Sequence, residues 1–146
     1  MKQRPRRFVV AGNHALDPAE VAMHLLRQLA ELPIDATILL RSPLQGHPGP
    51  IETLAESIAK DLSIEVEWRV PKPGAGGEGT IQRDSRMVDD SDGVIAYFHR
   101  DHIMGEDRGT TRLVRHAIGS GKSVQAYAAL EDDVDWVGSI EEGAHA

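Results

Sequence analysis

Short β-branched runs alternate along this chain with segments of helical periodicity, and that alternation constrains the fold more than any single motif. Arg7–Ala11 (RFVVA) is apolar, ends at Gly12 and predicts a buried strand. Asp17-Pro18-Ala19-Glu20 then carries the marks of a helix start: a capping carboxylate, a proline at the first helical position and a following glutamate that completes the cap. Val21, Leu25, Leu29 and Leu32 line one face of this helix, which Pro33 should stop. Asp35–Leu40 (DATILL) predicts a second strand, followed by a loop to Gly49. Ile51, Leu54, Ala55, Ile58, Ala59 and Leu62 form the clearest helical stripe in the chain.

Ile64–Val70 alternates apolar and charged residues, the pattern of an edge strand with one wet face. Pro71–Gly79 reads as a Pro/Gly-rich loop, with a third helix from about Thr80 to Asp90. Gly93–Phe98 (GVIAYF) is the most apolar strand. After the polar loop His99–Arg108, Gly109-Thr110 opens a helix that carries Leu113, Val114, Ala117 and Ile118. Gly119, Gly121 and Lys122 end it, and Ser123–Ala128 (SVQAYA) predicts a fifth strand. For Val134–Val137 the pattern leaves strand and helix both open.

Strict alternation of this kind implies a parallel sheet with helices on both faces: a Rossmann-like, three-layer α/β/α domain of about five strands. Right-handed crossovers, with the third helix carrying the chain back to the centre, give the strand order 3-2-1-4-5. The domain should span residues 7–130, between a basic arm at 1–6 and an acidic tail at 131–146. A chain of 146 residues can bury a core without staples. It has no cysteine, which excludes disulfides and thiolate metal sites. The apolar runs are too short to span a bilayer, and Phe8–Ala11 is too short for a secretory signal, so a soluble cytoplasmic protein is expected. A net charge of -7 argues against strong nucleic-acid binding.

In such sheets ligands bind beyond the strand C-termini, where the strand order reverses between strands 1 and 4. That rule nominates Gly12, Asn13, Ser42, Arg83, His99, Gly109, Thr110 and Thr111 as ligand-binding residues. The helix start at Gly109-Thr110 offers free N–H groups and a positive dipole end, and Arg83 brings a guanidinium suited to phosphate or carboxylate. Gly74–Gly79 matches G-x-G-x-x-G, but Pro71-Lys72-Pro73 separates it from the strand and that strand is an edge, so a mobile loop over the site is expected instead. His99-Arg100-Asp101-His102 holds donor atoms for a metal without a nameable further ligand, and no metal or cofactor is expected. No catalytic residue is assigned.

Taken together, these segments resemble the SLOG superfamily, in particular its small YspA-like branch, over roughly Phe8–Ala128. The resemblance rests on Phe8–Gly12, on Gly46–Gly49 leading into Ile51–Leu62, on Ala75-Gly76 before Arg83–Val88, on Asp92–Phe98, and on Gly109-Thr110 before Leu113–Ile118 and Gly121–Val124. It implies a Rossmannoid protein that binds a nucleotide or a nucleotide-derived signal, in a superfamily that also includes LOG-type phosphoribohydrolases. Two departures bear on activity. The family's Arg-Asn is Arg83-Asp84 here, which adds a negative charge, and Leu113 stands where the LOG enzymes carry a glutamate. An N-glycosidic reaction needs a carboxylate against the oxocarbenium centre; Asp101, Glu106 or Asp107 would have to supply it.

The resulting first expectation is a binding module, a sensor or sequestering protein. The alternative is an N-glycosidic enzyme of the nucleoside deoxyribosyltransferase or phosphoribohydrolase type, and a third reading is a protein-interaction domain with a vestigial pocket. A homo-oligomer is expected, with Tyr127 and Trp136 as candidate contacts.

Overall fold

Side chains alternate faces along a strand, and this sorts the core of the protein into two halves. The computed structural model describes residues 6–99, 108–130 and 133–136. The elements run β1 (Arg7–Gly12), α1 (Pro18–Ala30), β2 (Thr37–Arg41), α2 (Pro50–Asp61), β3 (Glu65–Arg69), α3 (Gly76–Asp89), β4 (Gly93–His99), α4 (Arg108–Gly119), β5 (Ser123–Leu130) and β6 (Asp133–Trp136). Val10, Ile38, Leu40, Ile95 and Tyr97 point to one face, where α1 and α2 supply Val21, Leu25, Leu29, Ile51, Ala55 and Ala59. Val9, Ala11, Leu39, Val94, Ala96 and Phe98 point to the other, where α3 and α4 supply Met87, Val88, Leu113, Val114 and Ala117. Each fully buried Val, Leu, Ile, Met or Phe among them contributes about 1.5–3 kcal/mol over exposure.

The sheet order is β3-β2-β1-β4-β5-β6. The first five strands are parallel, in the order 3-2-1-4-5 expected of a Rossmann-like fold, and β6 is added antiparallel to β5. In β6, Trp136 stands in register with Tyr127, which resolves Val134–Trp136 as strand. Tyr127 itself is 9% exposed, and its ring stacks on Tyr97 and meets His24 edge-on, so it covers the core of its own chain. At the other end β3 is the edge, and its inward residues Val66 and Trp68 pack on the core while Glu65 faces solvent.

Local signals account for most helix ends. The Asp17 carboxylate accepts from the Ala19 N–H, and Pro18 occupies the first helical position of α1. α1 ends at Ala30, short of Leu32, because Glu31 already closes the last turn onto Gln28 and Leu29. α2 ends in a left-handed residue, Ser63 at φ 59°, with Ile64 N–H donating back to Ala59 O. One boundary differs from expectation. α3 starts at Gly76, so Gly76, Gly77 and Gly79 form its first turn and do not belong to a loop. Gly79 packs so closely there that a Cβ would lie 3.0 Å from Ala75 Cβ and 3.1 Å from Lys72 O, which explains glycine in a helix it otherwise disfavours. The loop expected over the site shrinks to the stretch between β3 and Gly76. Among the described residues no helix is long and apolar enough to cross a membrane.

Candidate ligand cleft at the strand C-terminal ends

The C-terminal ends of β1 and β2 meet the first turns of α2, α3 and α4, and a cleft of about 350 Å³ lies between them. Its walls include His14 after β1, Arg41 and Ser42 at the end of β2, Gly49 and Glu52 at the start of α2, Gly76, Thr80, Arg83 and Asp84 along α3, and Gly109 in the first turn of α4. Helix starts present unpaired N–H groups and the positive end of a dipole, so three of them around one cleft favour electron-rich ligand atoms.

The cleft wall includes a buried charge pair. Arg41 Nε donates to Glu52 Oε2 at 2.7 Å, and both side chains are buried. The second arm of the guanidinium, Nη2, donates to Gly12 O and to Thr110 Oγ1, each at 3.1 Å. One side chain therefore ties β2 to β1, α2 and α4. The close packing of these parts requires glycine at position 12, because a Cβ there would lie 2.4 Å from Ile51 Cγ1. A second pair stands on α3. Arg83 Nε donates to Asp84 Oδ1 at 2.8 Å, and its Nη1 donates to Ser42 O at 2.7 Å.

Asn13 is fully buried and pins the ends of β1 and β4 together. Its N–H donates to Tyr97 O, and its Oδ1 accepts from the His99 N–H at 2.7 Å. Three buried polar atoms have no hydrogen-bond partner among the described residues: Asn13 Nδ2, Thr111 Oγ1 and Glu52 Oε1. Burying such atoms unpaired costs about 1–3 kcal/mol each, more for a charged group.

Of the residues nominated from sequence, Ser42, Arg83 and Gly109 line the cleft. Gly12, Asn13 and Thr110 stand behind its wall as acceptors and braces, Thr111 is buried in α4, and His99 is tied through its backbone to Asn13. Arg83 is less available to a phosphate than its type suggests, since its guanidinium is engaged by Asp84 and two carbonyls. Strand-end geometry also pointed to His14 and the Gly46–Gly49 loop, of which His14, His47 and Gly49 line the cleft, whereas Arg41 and Glu52 were not nominated, yet both line it. Leu113, at the position where the resemblance calls for a glutamate, is 1% exposed and packs in the core beneath α4. Arg100, Asp101, His102, Glu106 and Asp107 lie outside the described residues. Among the described residues no three His, Asp or Glu side chains gather as a metal site would need.

The chain matches no family model, and no curated protein is significantly similar to it. The fold and the cleft therefore carry the functional argument by themselves.

Proposed function

We propose that the protein binds a nucleotide or nucleotide-derived small molecule in this cleft, as a sensor or sequestering module of SLOG type. The observation that carries the reading is the convergence of three helix starts on one cleft at the C-terminal end of a parallel sheet, beside the point where the strand order reverses. Gly109 offers close backbone approach at the start of α4, and Ser42 and Arg83 line the same cleft. A cleft of about 350 Å³ is at the small end for a ligand of this class.

One observation favours the N-glycosidic alternative: two carboxylates, Glu52 and Asp84, line the same cleft. Both are already held by arginines, which leaves binding the better supported reading. Homo-oligomerisation belongs to the same proposal and is checked by sedimentation at micromolar concentration, where a species of monomer mass alone refutes it.

The test is a thermal-shift panel of nucleoside mono-, di- and triphosphates on the wild type and on Gly109→Val. A ligand at 100 times its Kd stabilises the folded state by about 2.7 kcal/mol. The expected result is a shift for at least one ligand in the wild type and its loss in the variant. Equal shifts in both place the site elsewhere. Multiple-turnover release of free base, followed by chromatography, would favour the enzyme.

A further inference from the structure

The Glu52 carboxylate is 2% exposed, yet among the described residues only one of its oxygens is matched by a donor. Oε2 takes the Arg41 Nε–H. Oε1 lies beside Gly49, which lines the cleft together with Glu52, and a Cβ on residue 49 would lie 3.0 Å from it. We propose that Glu52 Oε1 is a specificity-determining acceptor for an uncharged O–H donor of the ligand, the 2′- and 3′-hydroxyls of a ribose. The inference rests on the nucleotide reading above and names which part of the ligand meets this end of the cleft.

Charge and hydrogen-bonding capacity both lead to this assignment. An ionised carboxylate is acceptor-only, so its free oxygen requires a donor. The Arg41–Glu52 pair and the Arg83–Asp84 pair are each neutral in sum, and neither leaves a compensating cation on this wall for a second anion. A phosphate pressed against Oε1 would meet like charge, whereas a hydroxyl makes a charge-assisted hydrogen bond. Dinucleotide-binding sheets use an acidic side chain near the end of the second strand to hold ribose hydroxyls. Here the end of β2 bears Arg41, and the carboxylate reaches the same region from the first turn of α2, fixed by that arginine. Gly49, without a side chain, keeps a Cβ from crowding Oε1 at 3.0 Å.

The experiment measures Kd by titration calorimetry for the four ribonucleoside 5′-monophosphates, their 2′,3′-dideoxy counterparts and their 3′,5′-bisphosphates. In the wild type the tightest ribonucleotide should bind about 10- to 100-fold more tightly than its dideoxy and 3′-phosphorylated forms, the worth of a hydrogen bond to a charged group. This comparison needs no variant. Glu52→Gln, which keeps the shape and an acceptor for Arg41 but offers the cleft an N–H, should reduce ribonucleotide binding to the dideoxy level and abolish the discrimination. Gly49→Ala, which keeps the charge pair, should also weaken ribonucleotides selectively. Ribo and dideoxy ligands binding the wild type equally overturn the proposal and leave the nucleotide reading standing. A bisphosphate that binds more tightly than the monophosphate also overturns it. Discrimination by the base alone, unchanged in Glu52→Gln, shows a base N–H elsewhere in the cleft to be the recognised group and overturns it too. A wild type that binds no member of the panel sinks the nucleotide reading and this proposal together.

Discussion

Replacing Arg41 by methionine should be among the most damaging single changes outside the apolar core. Methionine keeps much of the length of the side chain and removes the charge. Glu52, 2% exposed, then loses its only described cation, and Gly12 O and Thr110 Oγ1 lose the donor they share. Breaking a buried pair by removing one partner costs about 3–5 kcal/mol, because the remaining charge is stranded. For a domain of this size each kcal/mol moves Tm by about 2–4 °C, so the variant should melt about 6–20 °C lower. The decisive comparison is the double variant Arg41→Met/Glu52→Leu. With both charges gone neither partner is left as a stranded charge, and exchanges of this type are often neutral or stabilising. The double variant should therefore be more stable than Arg41→Met alone, and the coupling between the sites should exceed about 2 kcal/mol in a cycle of urea unfolding curves. A single variant that loses less than about 1 kcal/mol, or additive effects in the double variant, would refute the claim that these side chains act as one buried unit.

Gly12→Ala drives a Cβ to 2.4 Å from Ile51 Cγ1 and should cost at least about 1–3 kcal/mol, seen as a lower urea midpoint with unchanged slope. Ser63→Gly relieves a left-handed backbone at φ 59° and should raise stability by about 1 kcal/mol, a gain that vanishes if α2 frays at that end. Burial, aided by Arg27, holds the His24 imidazole below its ordinary value of 6.5, while burial keeps the Tyr97 hydroxyl protonated beside His24 Nδ1. Below pH 6.5 the unfolded chain takes up the proton before the folded one does, so stability falls as pH falls through that region. His24→Gln should flatten this slope in melts between pH 7.5 and about 5, and an unchanged slope would assign it to other groups.

The strand order was legible because each parallel strand is a short apolar run with a helix-periodic segment behind it, and right-handed crossovers leave few ways to join such units. The start of α3 was not, because Gly76, Gly77 and Gly79 look like a loop by composition, and only the positive φ of Gly76 and the close approach of Gly79 to Lys72 show why those two are glycine. β6 was ambiguous in a short acidic stretch, and pairing with β5 decided it. At the cleft, the rule about strand ends found Ser42, Arg83 and Gly109. It passed over Arg41 and Glu52, which lie on separate elements and meet only in space. A signal was present: Glu52 shares the helical face of Ala55 and Ala59, so a charge stood inside the buried stripe of α2. Leu113 shows the opposite case, where the apolar stripe of α4 describes the residue better than the resemblance does.

β5 is the longest strand, eight residues, and four-residue β6 lies antiparallel along its C-terminal half, from Tyr127 to Leu130. A chain cut after Leu130 would keep all five parallel strands but leave Ser123–Leu130 as a bare outer rail, its N–H and C=O groups offered to any neighbour. With β6 in place, the C-terminal half of that rail is already paired, from Tyr127 to Leu130. The few residues of β6 thus act as a fender, leaving only the N-terminal half of β5 open to sheet-to-sheet growth.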